Sequence, residues 1–323
     1  MTDLQRILDA EATHPGGEPR IRVGVSACLL GENVRHNGGH KRSPFVTEAL
    51  SRYVRFEPVC PEMGIGLGVP REAIRLEGSP QAPRAVGTRT PGLDVTAQLE
   101  SYAAAQARRL QDISGYVFKS KSPSCGVERV KVYDANGVPS ASARGLFAAG
   151  LMRRMPLLPV EEEGRLNDPA LRENFIERLF AYRRWQDLLA DGVTAAGLVG
   201  FHTRHKLMLL AHSREGLTAL GRLVARIAEA YGREFMAALS KPAPRGRHAD
   251  VLQHLQGYLK KHLSGEDRRE LAELIEAYRQ GRVPLIVPVT LLRHHFRRYP
   301  DPYVDKQLYL TWAPADLGLW NRV

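Results

Sequence analysis

Three cysteines, Cys28, Cys60 and Cys125, each lie in a separate loop marked by glycine or proline: SACLLGENVR, VCPEMGIGLGVP and SPSCGVERV. A lone cysteine is usually a small buried hydrophobe. Three of them in such loops can instead hold a metal centre and leave one coordination position open, where chemistry happens. The odd count argues against a disulfide framework. Zinc is one alternative, but structural zinc sites draw ligands in close pairs such as C-x2-C, and no such pair is present. A [4Fe-4S] cubane suits widely separated ligands better. It would have one iron without a protein thiolate, able to act as a Lewis acid, whereas a redox-only cluster would want a fourth cysteine.

The flanking residues describe a polar pocket. Ser26 precedes Cys28 by two positions, Glu62 follows Cys60 by two, and Lys119, Ser120, Lys121, Ser122 and Ser124 crowd before Cys125. Hydroxyl and ammonium groups near ligand sulfurs tune a metal centre and bind substrate, and a carboxylate beside a metal can move protons. The plainer roles are a surface loop for Glu62 and a solvated strand end for Lys119 and Lys121. Arg35, Asn37, Gly38 and Gly39 form a turn-rich loop that could close over a ligand.

Strands and helices must bring these loops together. IRVGVSA (21–27), RFEPVCP and GYVFKSKSPSCG repeat one plan, an apolar strand and then a cysteine loop. VTAQLESYAAAQARRLQDI (95–113) has helical spacing. The alternation predicts an α/β domain, a parallel sheet with flanking helices, in which sites form beyond the carboxyl ends of the strands. The segment 155–174 reads as a linker running into a helix, with Asp168 as N-cap and Pro169 at the first helical position. Beyond it, apolar residues recur at three and four. The fold class is therefore α/β followed by an all-α region, divided as domains 1–158 and 159–323.

The helical half holds no cysteine but eight of the 11 histidines. His205 and His212 share a helical face, seven apart. A metal pair is the sharper reading and lacks acidic partners in sequence; a basic face for phosphate is the simpler one. Arg204, His205, Lys206, Lys260, Lys261 and Arg293 are the RNA-binding candidates, with Phe201, Tyr258 and Phe296 as interleaved aromatics for stacking. Core packing is the alternative role for Phe201 and Tyr258.

Net charge is +11 over 323 residues. It is shared by both halves: 21 basic against 15 acidic side chains give +6 over residues 1–160, and 25 against 20 give +5 over 161–323. A basic surface attracts polyanions, nucleic acid first; general solubility is the bland reading. No apolar run reaches the roughly 18 to 20 residues a bilayer crossing needs, and the first residues show no signal-peptide pattern. A cytoplasmic location, without membrane association, is expected.

SACLLG, VCPE and SPSCG together resemble the signature segments of the TudS-type thiouracil desulfidases, with VRHNGG standing where relatives more often have VRYDG and DVT (94–96) also in place. LVGFHTRHKLMLLAHS, HADVLQHLQGYLKKHLS and YRQGRVPLIVPVTLLRHHF resemble the YbgA-type domain. The pairing is similar to the RudS-type tRNA 4-thiouridine desulfidases. The resemblance implies a [4Fe-4S] cluster held by Cys28, Cys60 and Cys125, whose open iron binds the thiocarbonyl sulfur while water attacks the ring carbon, without net electron transfer. It implies Glu62 as proton carrier and Ser122 and Ser124 as hydrogen-bond donors to the base or leaving sulfur, with Ser26 and Lys119 as further candidates. Asn37 in place of Asp removes one carboxylate; Asp94 is an alternative whose plainer role is a helix cap. The implied partner is tRNA containing 4-thiouridine, its base unstacked into the pocket. Two alternatives stay open: a desulfidase of free thiouracil or thionucleosides, and a non-catalytic, cluster-bearing RNA-binding or sensor protein.

Overall fold

The computed structural model describes residues 21–134, 136–224, 228–312 and 319–321. These form two compact units, one ending at Asp168 and the other beginning at Pro169. The outer bounds of the expected domains, residues 1 and 323, lie outside the described residues.

The first unit contains strands β1 (Ile21–Ser26), β2 (Val54–Val59), β3 (Ile74–Ser79), β4 (Ala82–Gly87), β5 (Gly115–Phe118), β6 (Val130–Tyr133), β7 (Pro139–Ala143) and β8 (Val160–Glu162), with helices α1 (Pro61–Gly64), α2 (Thr96–Arg109) and α3 (Leu146–Arg154). The cysteine-bearing strands belong to one sheet of order β2-β1-β5-β8, all parallel. Its central strands are apolar on both faces, as a covered parallel sheet requires: Ile21, Val23, Val25, Tyr116, Val117 and Phe118 are buried. Tyr116 stacks on Phe118 at 3.9 Å between ring centroids, and Phe147 of α3 meets both rings edge-on. Gly24 makes room for this stack, because a Cβ there would stand 2.2 Å from the Tyr116 ring.

The expected order, a parallel sheet with flanking helices and then a helical region, is present, with one addition and one correction. The parallel sheet is accompanied by a second one, order β4-β3-β6-β7, with antiparallel outer pairs. Leu76 and Val132 of this sheet pack with Val95, Leu99 and Leu146 in a separate core. The supposed linker 155–174 contains β8, which pairs with β5, so residues up to Asp168 belong with the sheet.

The second unit is helical: α4 (Pro169–Ala190), α5 (Ala195–His212), α6 (Arg214–Leu223), α7 (Ala228–Leu239), α8 (Arg245–Leu259), α9 (Gly265–Arg279) and α10 (Ile286–Arg298). Polar caps set the starts of three of these helices. Thr194, Ser213 and Ser264 accept from the backbone N–H of Gly197, Gly216 and Asp267. The core is aromatic, with Trp185, Phe201, Tyr231 and Phe235 in stacked and edge-on contact at 5.0–6.1 Å. No helix among the described residues is long and apolar enough to cross a membrane.

Candidate active site at the ends of the parallel strands

Strands β2, β1 and β5 are neighbours and run parallel, so their carboxyl ends share one edge of the sheet. Each leads into a loop or turn that carries a cysteine. Cys28 sits in the helical turn Ala27–Leu29 after β1. Cys60 is the extended residue before α1, with Pro61 at its first position. Cys125 closes the loop that follows β5. That loop is clamped: Pro123 and Ser124 carbonyls accept from Leu146 and Ala148 at the start of α3 (3.0 and 3.1 Å), which satisfies N–H groups a helix start leaves open. Gly145 permits the approach, since a Cβ there would lie 2.6 Å from the Ser124 backbone.

All three cysteines are free and line one cavity of about 370 Å³, together with Ser26, Glu62, Lys119 and Ser122. Burial is the main reason each thiol resists ionisation. It pushes Cys28 up to about 11, with the neighbouring Cys60 adding to the rise and Lys119 and Arg35 opposing it. Cys60 is raised by burial against the Met63 backbone N–H. Cys125 is raised well above the ordinary thiol value, again by burial, with Ser26 hydrogen bonding in the opposite direction. Thiolate is the form that binds metal, so these sulfurs favour ionisation only when a cationic centre compensates for burial and mutual repulsion.

Glu62 is held from both sides. Its Oε1 accepts from Ser124 Oγ at 2.8 Å, and its Oε2 accepts from Arg71 Nε at 2.9 Å and Nη2 at 2.7 Å. Ser124 is fully buried and stands behind the carboxylate. Ser122 Oγ accepts from the backbone N–H of Cys125 at 3.1 Å and Ser124 at 3.3 Å, which makes its own hydrogen available to a ligand. Ser26 Oγ accepts from the Lys119 backbone at 2.9 Å and supports the Cys125 sulfur. Lys119 Nζ pairs with Glu163, which also accepts from Ser120 N and Oγ at 2.7 and 2.8 Å. Glu162 accepts from Val127 N at 2.8 Å and Glu128 N at 3.2 Å, fixing the backbone after Cys125. Glu162 and Glu163 therefore support the site.

Arg71, Glu162 and Glu163 are the residues sequence reading missed. The surplus of acid in VEEEG was a signal, but only the pairing of β8 with β5 shows where it points. Asp94 serves the start of α2: its Oδ1 accepts from Thr96 N at 2.9 Å, and hydrogen bonds from Thr96 hold its carboxyl below the usual value.

The donor set can be tested against a metal group. No trio of His, Cys, Asp or Glu among the described residues is placed to hold a single metal ion. Three free thiols line one cavity; this is a donor set that a group with several metal corners could use, and a cationic core would offset the burial that opposes their ionisation.

The RNA candidates are split by burial. Arg204, Lys206, Lys260 and Lys261 are exposed. His205 is not available as a phosphate contact, and Arg293 is half-buried with its guanidinium turned to a backbone carbonyl. His205 is fully buried, its Nδ1 on the Phe201 carbonyl at 2.8 Å and its ring 4.1 Å from that of Phe201. Arg293 donates from Nε to the Leu310 carbonyl at 2.7 Å and lies over the Trp320 ring. Phe201 and Phe296 are core residues, while half-buried Tyr258 stacks on Tyr303 at 5.5 Å. His212 has an acidic partner after all: its Nε2 meets Glu177 at 2.8 Å and its Nδ1 the Lys241 carbonyl at 2.7 Å. This is a closed pair, with no third metal ligand beside it among the described residues.

Residues 23–163 match the family described as 2-thiouracil desulfurase, and residues 206–314 match the family described as protein of unknown function, DUF1722. A relative from Escherichia coli (strain K12), "Uncharacterized protein YbgA", is 35% identical over 151 residues, which are 44% of this chain and 89% of the relative. Among solved structures, the "[4Fe-4S]-dependent thiouracil desulfidase TudS" is 32% identical, with 47% of this chain and 97% of that one covered and a TM-score of 0.37.

Proposed function

We propose that this chain, which belongs to the YbgA-like DUF1722 family through its second unit and matches the 2-thiouracil desulfurase family over residues 23–163, is a desulfidase. Its substrates are thiolated uracils and, as the finer assignment, 4-thiouridine in tRNA, which it converts to uridine. The observation that carries this reading is the convergence of three thiols and the Glu62 carboxylate on one cavity, with Ser124 bonded to that carboxylate from behind.

Cys28, Cys60 and Cys125 are the residues that would hold a [4Fe-4S] cluster, which when bound supplies an iron without a protein thiolate as Lewis acid for a thiocarbonyl sulfur. The remainder falls to the protein. Exchange of C=S and water for C=O and hydrogen sulfide moves no electrons; both protons of the water must leave its oxygen, the first as it attacks, and the departing sulfur must take up two. Glu62 is the carboxylate at the cavity and carries that first proton. Ser124 and Arg71 hold both its oxygens, so it meets the substrate in one orientation. Ser122 offers its hydroxyl hydrogen to the base or the leaving sulfur. Ser26 and Lys119 act one step back, on the Cys125 sulfur and on Glu163.

The tRNA assignment is supported by the charge of +11, by exposed Arg204, Lys206, Lys260 and Lys261, and by Arg35, Lys41 and Lys121 lining the cavity. The three cavity positions suit phosphate neighbours of an unstacked base. The test is anaerobic reconstitution with iron and sulfide, followed by incubation with 4-thiouracil, 4-thiouridine and bulk tRNA. Release of sulfide and loss of 4-thiouridine on nucleoside analysis are expected. A colourless, zinc-loaded chain that releases no sulfide from any of the three would refute the proposal. Release from the small substrates alone would leave the desulfidase and remove the tRNA assignment.

A further inference from the structure

Arg71 makes more polar contacts at the site than any candidate drawn from the sequence. It lies between α1 and β3, and its side chain is only 5% exposed. Besides the two bonds to Glu62 Oε2, Nη2 donates to the Val34 carbonyl at 2.9 Å and Nη1 to the Gly68 carbonyl at 2.6 Å. Its backbone N–H donates to the His36 carbonyl at 2.9 Å. One guanidinium thus joins the loop after Cys28, the helix after Cys60 and the segment leading into β3. Val34 O also accepts from Cys60 Sγ at 3.8 Å. A planar fork with several donors can hold a carboxylate and two carbonyls together, whereas an ammonium group acts as a point charge.

We propose that Arg71 is the positioning residue of this site: by fixing Glu62 Oε2 while Ser124 fixes Oε1, it sets the plane of the carboxylate toward the cavity and acts on the reaction through Glu62. This rests on the desulfidase reading given above. Arg71 is not required to touch substrate, and it exchanges no proton. Its contribution is the fixed orientation of a group that does, the kind of support whose loss costs roughly 10- to 100-fold at comparable sites.

The decisive experiment is a double-mutant cycle on the full-length, iron-loaded chain, with sulfide release from 4-thiouracil as the rate, together with iron per chain and the thermal unfolding midpoint of the metal-free chain. Arg71→Gln is expected to lower kcat about 10- to 100-fold, with KM moved by less than about twofold. Iron content stays at the wild-type value. In a Glu62→Gln background, the same change is expected to lower kcat by less than about twofold, because the group it positions is already absent. Arg71→Lys, which keeps a cation but not the fork, should lie between wild type and Arg71→Gln. If Arg71→Gln lowers kcat by the same factor in both backgrounds, the assignment is overturned. A loss explained by fallen iron content or an unfolding midpoint lowered to the assay temperature also overturns it, since Arg71 is then scaffold. If Arg71→Gln does not fold, the cycle is run with Arg71→Lys under the same criterion. A wild-type chain that releases no sulfide refutes the desulfidase reading, whereas an active wild type with kcat indifferent to Arg71 refutes this inference alone.

Discussion

Each unit buries a set of polar, titratable side chains, and the two sets differ in what faces them. In the first unit the three thiols line a cavity, and burial holds them in their neutral form. In the second, His212 meets Glu177, His248 meets the Tyr309 hydroxyl at 2.7 Å, and His205 meets the Phe201 carbonyl, all within packed helices. A buried polar group with a protein partner is structure; buried groups that converge on a void are a site waiting for a ligand. The histidine-rich half drew attention in the sequence as a surface for phosphate, yet four of its eight histidines, His205, His212, His248 and His295, are buried.

The contrast can be broken most sharply at a cysteine. Cys60→Ala should lower sulfide release by more than about 100-fold, as loss of a metal ligand exceeds the cost of losing its supporting partner, while the circular dichroism of the helical unit stays the same. Equal activity would remove the cavity from the chemistry. Next in size is Glu177→Ala, which strands His212. Breaking a buried pair costs about 3–5 kcal/mol, so chemical denaturation of the helical unit should shift strongly while activity per folded molecule on 4-thiouracil does not. Retained stability would mean the pair is solvated.

The histidines should also respond oppositely to pH. Burial, reinforced by Arg184, pushes His205 well below 6.5. The unfolded ring then takes up its proton first, and the His205 contribution is lost as pH falls below 6.5. His212 is raised: burial alone would lower it, but Glu177 outweighs burial. Its contribution is full below 6.5 and is lost as pH rises through the folded value. His205→Leu should therefore gain on wild type as pH falls from 6.5, by up to about 1.4 kcal/mol per unit, and His212→Gln should lose on it most at low pH. Urea titrations at pH 5.5 and 7.5 decide both signs. The smallest effect belongs to the surface. Lys260→Ala and Lys261→Ala should each reduce the salt dependence of tRNA binding by about one unit of slope and leave turnover of free 4-thiouracil unchanged; an undiminished slope would move the RNA contact elsewhere.

Apolar runs ending at cysteine loops made the parallel sheet readable, because covered parallel strands need apolar residues on both faces. The period of three and four made the helices readable. The second sheet was harder to see: its strands are short, and Ile74–Ser79 is buried only at Ile74 and Leu76. The strand Val160–Glu162 was hidden in an acidic run resembling a linker, since glutamate in a strand is informative only once its partners, the Val127 and Lys119 loops, are in place. The burial of His205 and the inward hydrogen bond of half-buried Arg293 could not be read from residue type, because a helix presents polar residues to core and solvent by rotation, and the neighbouring helices decide which side is which.

By itself, the sequence determined the chemical inventory: three thiols without a fourth, a carboxylate beside one of them, and hydroxyls beside another. Short-range physics is enough for that, because strand and helix patterns are local and the strand ends carry the cysteines with them. Only the tertiary structure decided that Arg71 and Ser124 share the Glu62 carboxylate, that Glu163 takes Lys119, and that half the histidines of the helical unit are core. These are contacts between residues distant in the chain. Hydrogen bonding and desolvation depend on what stands within a few ångströms, and no local pattern records that.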